Sequence, residues 1–246
     1  MYLKTKALVL RVTDYNDRDA LLTLMTPEHG KLTAKVRGLR RKNSPLTAPC
    51  QLLAYSEFTL FEYRGYYTVN EAHSVNLFVA LRRDLQLLSL GTYFAQVGEL
   101  VAQEDTPNGE LLSLILNCLY ALSNLELPEL QVKTVFELRV ACIAGYSPNL
   151  YNCGACGNDT GVVFDLSGGT LLCGDCVSLA QGELVRINAA MLETLRYIAQ
   201  SDPKRVFAFR VGRDTLQSAN SLTEKYLLAQ LEQRFSTLDF YKSLLI

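Results

Sequence analysis

Two hydrophobic periods divide the chain. Up to about residue 80 apolar residues recur at alternate positions, as in a half-buried strand; beyond it they recur at helical spacing. Lys4–Val12 alternates with Leu8, Leu10 and Val12 on one face and predicts a first strand. Asp14-Tyr15-Asn16-Asp17 is turn chemistry, because Asn and Asp bond their own backbone. Ala20–Thr26, Lys31–Val36, Leu52–Tyr63 and Tyr66–Val75 predict four more strands, with turns at Pro27-Glu28-His29-Gly30 and Arg64-Gly65. Five short strands with no helical pattern before residue 77 predict a small closed barrel.

The helical region opens with a stripe of Leu85, Leu88, Phe94, Val97 and Val101, broken by Asp105-Thr106-Pro107-Asn108-Gly109. Leu111, Leu112, Ile115, Cys118, Leu119 and Leu122 stripe a second helix that ends before Pro128. Val132, Val135, Phe136, Arg139, Val140 and Ile143 mark a third, stopped by Gly145 and Pro148. Further on, Asn188 caps a helix running through Gln200, and a last helix runs from about Thr215 to Phe235. These tail stripes need a partner, so they are expected to fold back onto residues 81–150. The fold class expected is α+β. A five-stranded OB-type barrel over 1–80 is followed by an α-helical domain over 81–246 with a cysteine finger, 151–180, inserted.

Composition keeps this within the range of ordinary globular proteins. The chain has 246 residues, 49% hydrophobic and 20% charged. The apolar run Ala7–Leu10 is too short for a signal-peptide core, and no uninterrupted apolar stretch reaches the roughly 18 residues of a membrane span. A cytoplasmic, nucleoid-associated location without membrane contact is the expectation. The net charge of −1 hides an asymmetry: residues 1–80 carry 11 Lys+Arg against 7 Asp+Glu, and residues 81–246 carry 13 against 18. A basic front on an acidic body points the front at a polyanion.

Two C-x-x-C pairs hold the sharpest chemistry. Cys153 and Cys156 are separated from Cys173 and Cys176 by residues 157–172, a spacing within the zinc-site range. Each pair can grip one edge of a tetrahedron, and four protein thiolates leave one Zn2+ no open position, so its role would be structural. Glycine follows Cys153, Cys156 and Cys173 and lets the chain curl around the sulfurs. Iron, a redox pair and two disulfides are the competing uses of such cysteines. Thr160–Phe164 and Thr170–Leu172 predict a hairpin between the pairs, and Asp159, Asp165 and Asp175 make it mildly acidic. The remaining Cys50, Cys118 and Cys142 sit in apolar surroundings, as buried free thiols do.

The third strand and its following loop carry Lys31, Lys35, Arg37, Arg40, Arg41 and Lys42 with no acidic residue among them. Six such cations can track a phosphate backbone, and neutralising about six phosphates would cost roughly a thousandfold in affinity between 50 and 200 mM salt. The plain alternative is a solvated loop. Tyr55, Phe58, Phe61, Tyr63, Tyr66 and Tyr67 fit either base stacking or strand packing.

In order along the chain, these stretches resemble the bacterial RecO recombination mediators. The resemblance is carried by Thr5-Lys6-Ala7-Leu8-Val9-Leu10, by Thr26-Pro27-Glu28-His29-Gly30-Lys31-Leu32, and by the basic Lys35–Arg41. Phe136-Glu137-Leu138-Arg139, then Gly145-Tyr146-Ser147-Pro148 running into Cys153-Gly154-Ala155-Cys156-Gly157, is similar to the family's helix-to-finger junction. Lys242-Ser243-Leu244-Leu245 is a weaker echo, and Val36-Arg37-Gly38 departs from the family's usual small residue and lysine before glycine. The resemblance implies a DNA repair and recombination protein that binds single- and double-stranded DNA and anneals strands coated with single-strand-binding protein (SSB). It also implies work with RecR to load RecA.

Three functions compete: a non-enzymatic annealing mediator, a zinc-containing enzyme acting on nucleic acid, and a zinc-stabilised protein-interaction adaptor without direct DNA binding. The enzyme is disfavoured. No G-x-x-x-x-G-K-[ST] loop cradles a nucleotide, and His29 and His73 form no H-x-E pairing. No catalytic residue and no small-molecule substrate are expected.

Overall fold

The computed structural model describes residues 1–159 and 161–245. Two compact units divide the chain, Met1–Leu125 with Phe235–Ile246, and Glu126–Arg234. The expected division at residue 80 separates strands from helices, and the first compact unit holds the barrel together with the first two long helices.

In the first unit five strands close the OB-like ring: β1 (Tyr2–Asp14), β2 (Ala20–Met25), β3 (Lys31–Val36), β4 (Tyr55–Tyr63) and β5 (Tyr66–Asn76). β1 pairs antiparallel with β2 and β4, and a short parallel contact of β3 with β5 at Ala34–Tyr67 and Lys35–Thr68 completes the circle. Ala7, Val9, Leu22, Leu24, Ala34, Phe58, Leu60 and Val69 fill it.

The face expected for β1 needs correction. Its register shifts between Val9 and Arg11, a bulge that turns the strand over. Ala7 and Val9 therefore enter the core before the bulge and Val12 after it, while Leu8 and Leu10 are buried on the side that helix packing covers. The fourth strand also begins later than Leu52. Leu53 donates to Val9 O at 2.9 Å and Val9 to Ala54 O at 3.0 Å, so residues 53 and 54 serve the bulge instead of extending β4.

Arg82, in a 3-10 turn at Leu81–Arg83, closes the far side of this loop, donating to Leu52 O at 2.7 Å and Leu77 O at 3.0 Å. Helix α1 (Leu85–Val101) starts at Asp84, whose carboxylate accepts from the amides of Gln86 at 2.8 Å and Leu87 at 3.1 Å. It packs on β1 and on α2 (Gly109–Asn124).

The second unit is built on α3 (Glu129–Ile143). Four short strands follow: β6 (Asn149–Cys153), β7 (Val163–Asp165), β8 (Thr170–Leu172) and β9 (Leu184–Arg186), in sheet order β6-β8-β7-β9. The hairpin expected over Thr160–Phe164 and Thr170–Leu172 is present as β7 and β8, and Thr160 lies outside the described residues. Helices α4 (Ala189–Gln200) and α5 (Arg213–Leu231) pack on α3, and the Asn188 side chain caps α4 through the Met191 amide at 2.8 Å.

The helix expected from about Thr215 to Phe235 is α5, ending four residues early, and a further helix follows it. Glu232 takes a left-handed φ of 49° and ends α5. The separate α6 (Ser236–Ser243) belongs to the first unit and lies on α1. Among the described residues no helix is long and apolar enough to cross a membrane.

Candidate metal centre and nucleic-acid interface

The four cysteines of the finger converge. Cys153 ends β6, and Cys156 sits in the turn that follows. Cys173 precedes a 3-10 turn, Gly174–Leu179, that carries Cys176. All four Sγ atoms lie within 4.8 Å of one another, and Cys156 and Cys173 are 3.7 Å apart. A tetrahedron with Zn–S bonds of about 2.3 Å has edges near 3.8 Å. The donor set therefore fits one structural metal ion held by four thiolates.

The surroundings favour thiolate at one corner. Cys153 is lowered to about 6, first by the amides of Cys173 and Cys156. Cys176 is pushed up to about 12, first by its thiol neighbour Cys173. A cation among the four sulfurs would displace the protons these thiols share and hold all four as thiolates. Two of the three glycines have a geometric reason. Gly157 has a φ of +78°, and a Cβ on Gly154 would lie 2.4 Å from Thr170 Oγ1; Gly174 has neither constraint.

The finger is fastened to α5 of its own unit. Phe164 meets Tyr226 edge to face at 5.5 Å, and Tyr226 donates to Tyr146 O at 2.9 Å. Gln230 Nε2 donates to Leu166 O at 2.9 Å. Asp165 is not a surface charge: it is buried and accepts from the amides of Gln181 at 2.7 Å and Ser167 at 3.1 Å.

Behind this lies a polar cluster that the apolar stripe of α3 concealed. Lys133 and Glu137 are buried one turn apart, and Asn220, Thr223 and Glu224 of α5 complete the network. The i, i+4 spacing of opposite charges was the available signal.

The six cations of β3 and its loop fall into two sets. Lys31 donates to Glu99 O at 2.9 Å, Lys35 pairs with Asp19 at 3.2 Å and lies over the Tyr15 ring, and Arg40 pairs with Asp14 at 2.6 Å. Lys35 and Arg40 brace the loop through the acidic residues between β1 and β2, and Lys31 ties the start of β3 to α1. Asp19 also accepts from the Gly38 amide at 2.9 Å, and that bond holds its carboxyl below the ordinary range. Arg37, Arg41 and Lys42 are exposed and, among the described residues, have no ion-pair partner. They line a cleft of about 430 Å³ between this loop and β5, opposite Asn70, Glu71 and His73. His73 is exposed in that lining. Of the aromatics singled out in β4 and β5, Phe58 is buried, Tyr55 and Tyr67 are half-buried, and Phe61, Tyr63 and Tyr66 are exposed.

Comparison with known proteins agrees with this architecture. Residues 1–78 match the family model described as Recombination protein O N terminal, and residues 82–239 match Recombination protein O C terminal. A DNA repair protein RecO from Acetivibrio thermocellus is 33% identical over 245 residues, covering 99% of this chain and 97% of its own length. The corresponding protein of Alkaliphilus metalliredigens is 29% identical over 247 residues, 99% of this chain and 100% of that one. That of Pelotomaculum thermopropionicum is 31% identical over 239 residues, 96% and 92%. With a barrel match, a helical-region match and full-length relatives, the chain belongs to the RecO family of DNA repair and recombination proteins.

Proposed function

We propose that the protein is a non-catalytic recombination mediator. It holds single- and double-stranded DNA on its barrel, anneals complementary strands coated with SSB, and with RecR helps load RecA. The observation that supports the DNA step is the cleft beside β5, where Arg37, Arg41 and Lys42 face solvent without acidic partners among the described residues. Such cations attract phosphates of any sequence, and each phosphate neutralised releases counterions. Two strands brought together repel each other, and a cationic surface lowers that repulsion while leaving base edges free to pair. Lys35 and Arg40 support the reading indirectly, because their ion pairs fix the loop that presents the other three, while Lys31 is bonded to the Glu99 carbonyl.

The finger's part in this function is architectural. Zn2+ is the ion best suited to four thiolates at this spacing, held by Cys153, Cys156, Cys173 and Cys176. It would join two short turns that bury too little apolar surface to persist alone.

The test is annealing of complementary oligonucleotides pre-coated with SSB. The parent protein should accelerate annealing, and the variant carrying Arg37→Ala, Arg41→Ala and Lys42→Ala should not. Equal acceleration by both would place the activity elsewhere. No binding of either to bare DNA would favour the adaptor reading.

A further inference from the structure

A row of rings stands on the outside of the barrel, made of residues that do not line the cationic cleft. Tyr2 on β1 is directly opposite Phe61 on β4, and Tyr63 is opposite Tyr66 across the β4–β5 turn. Because side chains alternate along a strand, positions 2, 4 and 6 of β1 share one face with positions 59, 61 and 63 of β4. Tyr2 and Phe61 also pack on each other, ring centroids 5.3 Å apart, but none of the four is needed by the core, which Phe58, Leu60 and Val69 fill on the other face. Yet Tyr2, Phe61, Tyr63 and Tyr66 are 62%, 41%, 59% and 79% exposed.

The charge on this face selects the occupant. Lys4, Lys6 and Arg64 are exposed beside the rings, and Arg64 lies 5.2 Å over Tyr63. Of the carboxylates on this face, Glu57 of β4 is tied to Lys4 at 3.3 Å, and Glu71 of β5, opposite Thr59, lines the cationic cleft. Among the described residues Lys6 and Arg64 have no ion-pair partner. Flat rings edged by unpaired cations complement a chain with flat bases and anionic links. An apolar protein helix would leave the cations unmatched.

We propose that the outer face of β1, β4 and β5 is a base-stacking platform for single-stranded nucleic acid. The proposal rests on the reading of the barrel as the nucleic-acid domain, and adds a preference that the cleft alone does not supply. Alternate residues on a strand stand about 6.8 Å apart, roughly two base-stacking steps, so neighbouring rings can take neighbouring bases of an extended strand. A duplex hides its base faces and gains nothing from the rings.

The probes are a single-stranded oligothymidine and a duplex of the same length. The variant Phe61→Leu, Tyr63→Leu, Tyr66→Leu keeps apolar bulk but removes the rings; Tyr63→Phe with Tyr66→Phe keeps the rings. The leucine variant should lose about tenfold or more in affinity for oligothymidine and stay within about twofold on duplex, while the phenylalanine variant matches the parent on both. Should the triple variant fail to fold, Tyr66→Leu at the exposed turn should show a smaller loss in the same direction. Parental affinity for oligothymidine in a folded leucine variant would overturn the proposal, as would equal losses on both probes. If the parent binds neither probe, the functional reading itself fails first.

Discussion

The ammonium of Lys133 stands 2.7 Å from a carboxylate oxygen of Glu137, one turn along the same helix, and neither side chain reaches water. Glu224, on α5, supplies a second carboxylate to that ammonium at 2.7 Å. Asn220 and Thr223 donate to the other Glu137 oxygen at 3.1 and 2.9 Å. The cluster is thus shared between α3 and α5. A buried ion pair adds little net stability over packed hydrocarbon, but removing one partner strands the other.

Lys133→Met should therefore destabilise the protein by about 3–5 kcal/mol in urea unfolding, and adding Glu137→Leu should restore much of that loss. Burial already pushes the Glu137 carboxyl up, with Lys133 opposing it. Without the lysine the folded state favours protonated Glu137. A group raised in the folded state stabilises at low pH and loses that contribution as pH rises through its folded value. The difference between variant and parent should accordingly be smaller at pH 5 than at pH 8. A difference independent of pH would mean that Glu137 keeps another cation nearby.

Asp19 works in the opposite direction. The Gly38 amide, and after it Asn16 and Lys35, hold its carboxyl below the ordinary value of 3.8 against a smaller effect of burial. Its contribution to the cationic loop is present above that value and is lost as pH falls below it. The Gly38 amide should exchange faster, relative to neighbouring strand amides, on acidification from pH 6 to pH 3. Asp19→Asn should show weaker protection already at pH 6 and little further loss.

For the metal centre, Cys153→Ser should abolish stoichiometric zinc and lower the melting midpoint by about 5 °C or more. Excess chelator on the parent should reproduce that shift. DNA binding should survive in variant protein that remains folded, since the cations lie on the barrel. Full zinc content in the variant would mean a different ligand set.

Much of this was legible beforehand, for identifiable reasons. The barrel follows from alternation that closes over Phe58, Leu60 and Val69, and the cysteine site follows from spacing, which tight turns convert directly into proximity. The face of Val12 was not legible, because the bulge at Leu10 depends on backbone bonds to residues 53 and 54 far along the chain. Nor was the division of the six cations. Lys31, Lys35 and Arg40 find their partners in Glu99, Asp19 and Asp14, which only the folded ring brings near. The end of α5 was legible to within four residues, its stop being the left-handed Glu232, while the short α6 beyond Phe235 was not.

The central claim is that Arg37, Arg41 and Lys42 meet phosphate, and DNA affinity measured between 50 and 200 mM salt tests it most directly. Three phosphate contacts predict a fall of about twentyfold on single strands and about fortyfold on duplex, both short of the thousandfold for six. Replacing the three residues with alanine should weaken binding to every sequence and flatten the salt dependence by the share of those three contacts. A folded variant with parental affinity and parental slope would contradict the account.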